Sequence, residues 1–272
     1  MPELLSDYLF AQWQELLRLR KAVLQRFVDQ DIHDLRVTSR RLRVLLDLIW
    51  QYAACDDTRR LRRRIRRLTR ELGQLRNIDE AGSYLEGLDQ EGLAPLLKQL
   101  RKQRRKEARR VRLLLEDLRC KRLTRQLHKS AKSLISNDQG AADRLLHLLA
   151  ERSQALYQPI NELLPAVDLC GLPDKRHRLR IAIKKWRYFN ELLAILLAGD
   201  RKGLLGDLKR YQTLLGDLND RELFLSMIRN CPALSASTQQ QVEALVAVQH
   251  KKLLGGFRRL LKQRPLQYQF SA

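Results

Sequence analysis

The sequence is poor in residues that punctuate a chain, with 12 glycines and 7 prolines in 272 residues. So few breakers cannot delimit a sheet of many short strands, and Leu, Arg, Lys, Gln, Glu and Ala, all good helix formers, dominate instead. The fold class expected is all-α. Only four cysteines occur, Cys55, Cys120, Cys170 and Cys231, and none forms a Cys-x-x-Cys pair. This usage fits a reducing cytoplasmic compartment and argues against a zinc site. Charge interrupts every hydrophobic stretch well short of the about 18 residues that suggest a membrane span, and Met1 to Asp7 has no basic segment leading into an apolar run. The chain is therefore expected to be neither secreted nor membrane-spanning. Aromatic residues make up 6% of the chain, which leaves few platforms for stacking bases.

What the chain has in excess is positive charge: 53 Lys and Arg against 31 Asp and Glu, a formal net charge of +22. Self-repulsion of this size destabilises a compact state unless a polyanion neutralises it. The candidates are nucleic acid, an anionic membrane surface or inorganic polyphosphate. Disorder is excluded by a hydrophobic content of 44%, enough at this length for one large domain or two small ones.

Breakers divide the chain into about ten helices. The seams fall at Asp29 to Asp31, Cys55 to Thr58, Leu72-Gly73, Asp89 to Gly92, Ser136 to Gly140, Gly171 to Asp174, Gly199-Asp200, Leu215-Gly216 and Cys231-Pro232. Leu61, Ile65, Leu68 and Leu72 form a single apolar stripe. Residues 33–49, HDLRVTSRRLRVLLDLI, recur 144 positions later as HRLRIAIKKWRYFNELL. A second pair, Leu72-Gly73-Gln74-Leu75 and Leu215-Gly216-Asp217-Leu218, is read as closing one helix in each half, at a shift of 143. The expected architecture is one domain over 1–272. It comprises two antiparallel helical half-bundles, 1–136 and 137–272, related by a pseudo-twofold from internal duplication.

At 100° per residue, His33, Arg36, Arg40, Arg43 and Asp47 fall within an arc of about 80°, and His177, Arg180, Lys184, Arg187 and Glu191 occupy the same arc in the second copy. A solvated face usually mixes signs. Here four consecutive turns offer only His, Arg or Lys, in both copies, so the pattern points to an anion-binding face. The single acids, Asp47 and Glu191, are expected to orient neighbouring arginines. Asp31 and Asp174 signal helix starts just before His33 and His177. Free backbone N–H groups there would favour an anion and lower the histidine pKa, keeping each ring neutral until a phosphate arrives. Two denser runs follow, eight arginines between Arg59 and Arg70 and nine Lys or Arg between Lys98 and Arg112. Local acids cannot satisfy them. Additional anion contacts are expected from Arg66, Arg70, Lys102, Arg105 and Arg109. His128, His147 and His250 read as ordinary, and Trp13, Trp50, Trp186, Tyr188 and Phe189 as core.

The string His33-Asp34-Leu35-Arg36-Val37 followed by Arg40-Arg41-Leu42-Arg43, its echo from His177 to Arg187, and the two Leu-Gly pairs resemble the CHAD family, named for histidines in an α-helical domain. The resemblance spans essentially the whole chain. It implies an all-helical domain of two pseudo-symmetric bundles around a basic central groove or pore, which binds inorganic polyphosphate and can direct proteins to polyphosphate granules. Family ligand positions carry over to His33, Arg36, Arg40, Arg41 and Arg43, and to His177, Arg180, Lys184, Lys185 and Arg187. Asn77 stands where the family often has Asp, and Lys184 and Lys185 replace arginines. Members are often joined to a triphosphate-tunnel enzyme domain marked by a Glu-x-Glu-x-Lys strand. Without that motif, this chain reads as a stand-alone, non-catalytic module with no cofactor.

Two rival readings stay open. Non-specific nucleic-acid binding shares the electrostatics, although neither dense basic run carries an aromatic residue. A metal-dependent phosphohydrolase would use the His33-Asp34 pair, but the second copy has Arg178 in place of Asp34, and the surrounding cations would repel a divalent ion. No oligomeric state is legible, and a monomer is compatible with the sequence.

Overall fold

The computed structural model describes residues 1–134, 140–166 and 172–270, and every regular element among them is helical. The helices are α1 (Pro2–Arg26), α2 (Asp29–Tyr52), α3 (Asp56–Glu86), α4 (Ala94–Glu116), α5 (Cys120–Lys132), α6 (Ala141–Leu163), α7 (Pro173–Leu196), α8 (Lys202–Arg229) and α9 (Ala236–Gln263), with 3₁₀ turns at Glu91–Leu93 and Leu164–Ala166. Among the described residues no helix is long and apolar enough to cross a membrane.

Most expected seams hold, and two do not. Leu72-Gly73 and Leu215-Gly216 lie inside α3 and α8 rather than closing helices. A glycine within a helix costs roughly 0.5–1 kcal/mol relative to Ala. The apolar stripe continues across each one, with Leu72 and Leu75 buried in α3 and Leu215 and Leu218 in α8, and this burial holds the helix through the weak position. A break at Asp117 to Arg119, which has no glycine or proline to signal it, separates α4 from α5. The expected junction at 136–140 lies outside the described residues except for Gly140, and Cys170 and Gly171 lie outside them as well.

The chain divides into two compact units, Met1–Glu80 with Lys102–Leu149, and Ala81–Arg101 with Ala150–Ala272; the division cuts through α3 and α4. In the first unit, α1 presents Leu5, Leu9, Trp13, Leu16, Leu19 and Val23, none more than 1% exposed, at spacings of three and four. Ile32, Leu35, Leu42 and Ile49 of α2 and Leu61, Ile65, Leu68 and Leu72 of α3 supply further core faces. Buried polar contacts fix the register. Thr69 Oγ1 donates to Ser39 Oγ at 3.0 Å between α3 and α2, and Thr58 Oγ1 to Ser130 Oγ at 2.7 Å between α3 and α5.

In the second unit, Leu179, Ile183 and Trp186 of α7 pack with Leu208, Tyr211 and Leu215 of α8 and Phe257 of α9. The Tyr211 hydroxyl donates to the Arg264 carbonyl at 2.8 Å, and burial pushes its pKa up to about 12. The 144-residue shift seen in the sequence carries the bounds of α2 onto those of α7, both 24 residues long, and the 143-residue shift carries the end of α3 onto the end of α8.

Candidate anion-binding site

In the first unit, spacings of three and four place His33, Arg36, Arg40, Arg43 and Asp47 along one side of α2, each half-buried. Helix α3 contributes to this ladder at both ends. Arg62 Nη2 meets Asp47 Oδ1 at 2.6 Å and Arg66 Nη2 lies 3.9 Å from the same oxygen, while Arg76 acts electrostatically on His33. The only acid on the ladder is thus held by α3, which agrees with its expected orienting role. Arg62 also lies over the ring of Trp50, 5.4 Å from its centroid. Trp50 is half-buried rather than core, because its position at the end of α2 leaves one side to be covered by a guanidinium.

Arg43 makes no hydrogen bond or ion pair among the described residues. Burial depresses its pKa; Asp47 pulls the other way, and Arg66, Arg40 and Arg62 add to the depression. A half-buried guanidinium whose nearest acid is engaged by another arginine is a position where an incoming anion lowers the energy.

The His33 imidazole is held below its usual 6.5, first by burial and then by Arg36 and Arg76, with Asp34 and Glu80 opposing. This replaces the helix-end explanation. Helix α2 starts at Asp29, so His33 is its fifth residue, and the preceding Ile32 N–H already bonds the Val28 carbonyl at 3.2 Å. His177 is likewise the fifth residue of α7, so neither histidine sits among the free N–H groups of the first turn. Asp34 accepts from Gln30 Nε2 at 3.0 Å, and Asn77 is exposed.

The second unit repeats the layout with different pairing. His177 is exposed, and its Nδ1 lies 2.5 Å from Asn219 Oδ1; Asn219 is the counterpart of Arg76 under the 143-residue shift. Arg180, Lys184, Arg187 and Glu191 are half-buried. Unlike Arg43, Arg187 is fully engaged, with Nε and Nη2 on Glu191 Oε1 at 3.0 and 2.8 Å and Nη1 on Gln212 Oε1 at 3.0 Å. The extra methylene of Glu191 over Asp47 lets the carboxylate reach its own helix neighbour one turn away. A Cβ at Gly216 would meet Arg180 Nε at 3.9 Å, an ordinary contact, so a side chain there is compatible with Arg180. The Nε atoms of Arg36 and Arg180, matched positions, are both buried without an acceptor, although each side chain has other interactions.

The remaining expected contacts are distributed unevenly. Arg41 is half-buried and Lys185 exposed, and both lie off the ladder arc. Arg66 joins the ladder through Asp47. Arg70 instead meets buried Glu71 at 3.1 Å, and α4 brings Arg110 to that same carboxylate at 3.2 Å. Arg104 of α4 bridges Asp79 and Asp29, 2.7 Å from each. The basic runs are therefore partly satisfied internally, Arg70 by the acid next to it in sequence and Arg104 and Arg110 by acids on packed neighbouring helices. Lys102, Arg105 and Arg109 are exposed and, at 100° per residue, stand well away from the face that carries Arg104. Sequence reasoning missed Arg176, which is buried and paired with Glu222; His250 lies 3.4 Å from the same carboxylate. Its only sequence signal is a charge at a position where the first copy has Ile32. Among the described residues no three His, Cys, Asp or Glu side chains cluster as metal ligands do.

Solved structures that resemble the fold include two with nearly full coverage. The CHAD domain from the plant Ricinus communis is 22% identical with a TM-score of 0.69, over 98% of this chain and 92% of that one. PptA from Streptomyces chartreusis is 18% identical with a TM-score of 0.65, over 97% and 99%. No curated protein matches the sequence. The family model for the CHAD domain matches residues 7–229. With most of the chain inside that match and the two solved folds agreeing along nearly its whole length, this protein belongs to the CHAD domain family.

Proposed function

We propose that the protein binds inorganic polyphosphate, without turning it over, through the basic ladders of α2 and α7, and that this binding associates it with polyphosphate granules. The observation that carries the reading is Arg43: a half-buried guanidinium without an ion pair, flanked by Arg40, Arg62 and Arg66. A polyanion laid along His33, Arg36, Arg40 and Arg43 supplies the missing counter-charge, and arginine grips paired phosphate oxygens. Polyphosphate is preferred over nucleic acid because the aromatic residues near the ladders are occupied. Trp186 and Phe189 are buried, and Trp50 is covered by Arg62. The family supports the same ligand class.

Competition of long-chain polyphosphate against RNA and double-stranded DNA, at equal phosphate and physiological salt, tests the proposal. Polyphosphate should displace both, with no phosphate released in the same tubes. Equal displacement by either nucleic acid overturns the ligand assignment. Phosphate release on adding magnesium or manganese, lost in Asp34→Asn, overturns the non-catalytic one.

A further inference from the structure

In the first unit, two neighbouring clefts open where α3 meets α5 and the turn before it, and both are walled by Arg60, Arg119, Arg122 and Gln126. The smaller, about 310 Å³, adds Arg64 and Arg67 of α3. Its volume falls in the range of about 300–1,000 Å³ typical of small-molecule sites. Five guanidiniums there face one carboxylate, Asp117, and none of the five makes a hydrogen bond or ion pair among the described residues.

A second observation comes from the wall itself. Gln126 is only 6% exposed as a residue, and its side-chain amide, which bonds no described residue, keeps its polar atoms accessible to solvent in the cleft. An amide accessible at a cleft wall is free to donate to an oxygen of a bound anion. Helix α5 begins at the same wall with Arg119 as its N-cap and no side-chain cap, which adds the positive end of a 13-residue helix to the charge of the arginines.

We propose that this cleft is a second anion site, separate from the α2 ladder, that takes a compact inorganic oligophosphate of the size of tripolyphosphate. The arginines supply paired donors for phosphate oxygens, and Gln126 donates from its amide nitrogen to an oxygen at the wall. A small cleft of this volume suits a short anion better than a running chain. No aromatic side chain lines either cleft, so a nucleotide would gain nothing from its base.

Calorimetric titration of the full chain with tripolyphosphate provides the test, with long-chain polyphosphate titrated in parallel. One equivalent of tripolyphosphate should bind. Arg64→Gln with Arg122→Gln, both exposed positions, should weaken it by about tenfold or more, and Gln126→Leu by about threefold. Both variants should retain long-chain binding. Arg36→Gln with Arg40→Gln should do the reverse, losing long-chain affinity while keeping tripolyphosphate. Thermal melts check that each variant is folded, and the exposed arginine pair carries the test if Gln126→Leu is not. The proposal fails if the wild type does not bind tripolyphosphate, if the ladder variant loses it while the cleft variant keeps it, or if ATP competes as well as tripolyphosphate does.

Discussion

Arg43 and Arg187 occupy matched positions in the two units, yet the structure assigns them opposite energetic roles, and exchanging each for methionine separates those roles. Arg187 is ion-paired to Glu191, with side chains 20% and 17% exposed. Breaking a fully buried pair costs about 3–5 kcal/mol and an exposed one about 0–1 kcal/mol. Arg187→Met should therefore destabilise the free protein by about 1–2 kcal/mol. At about 2–4 °C per kcal/mol, the melting temperature should fall by about 2–8 °C. Arg43→Met removes a half-buried cation that has no ion pair and three arginines beside it. Free-protein stability should stay within about 1 kcal/mol of wild type, on the stabilising side, because partial exposure screens the repulsion that is relieved. Long-chain polyphosphate binding should nevertheless weaken. A desolvated charge-assisted contact is worth about 1.5–3 kcal/mol, which half-exposure reduces to about 1–2 kcal/mol, or about 5- to 30-fold in affinity. Differential scanning calorimetry without ligand, and titration with polyphosphate at fixed ionic strength, measure the two quantities. The reasoning is refuted if Arg43→Met is destabilised as much as Arg187→Met, or if it binds polyphosphate with wild-type affinity.

Arg104→Met leaves Asp79, whose side chain is 3% exposed, without its partner at 2.7 Å. Because Arg104 itself is 37% exposed, the expected loss is about 1–3 kcal/mol rather than the full value for a buried pair. Burial already raises the Asp79 pKa against the pull of Arg104. The folded variant should therefore accept a proton more readily than the unfolded chain, and its deficit should shrink as pH falls; urea melts at about pH 7 and pH 5 measure this, and a deficit independent of pH contradicts it. His33 has a folded pKa below 6.5, so as pH falls from that value the unfolded chain binds a proton that the folded, ligand-free protein resists, and stability declines. A bound phosphate reverses the preference, and polyphosphate affinity should rise over the same interval. His33→Asn should flatten both trends, and an unchanged pH profile in that variant removes His33 from the site.

The sequence by itself determined everything that depends on residues within a few turns of one another. The stripe of Leu61, Ile65, Leu68 and Leu72 is a helical spacing and is buried as such. His33, Arg36, Arg40 and Arg43 share a side of α2 because 3.6 residues make a turn, and the same string carried the family resemblance. Tertiary structure decided what those groups meet. Asp47 and Glu191 read alike in the sequence, but one is taken by Arg62 from α3 and the other by Arg187 on its own helix, so of the matched pair Arg43 and Arg187 it is Arg43 that has no ion pair among the described residues. The basic run of α4 divides in the same way, since Asp29 and Asp79 are 75 and 25 residues from the Arg104 they hold. Gly73 and Gly216 look like helix ends and are not, because burial on both sides outweighs a propensity cost of under about 1 kcal/mol. The cleft around Gln126 draws on α3 and α5, and no local pattern marks it. Periodicity fixes which way a side chain faces, whereas its charge balance and burial depend on helices brought together from distant parts of the chain.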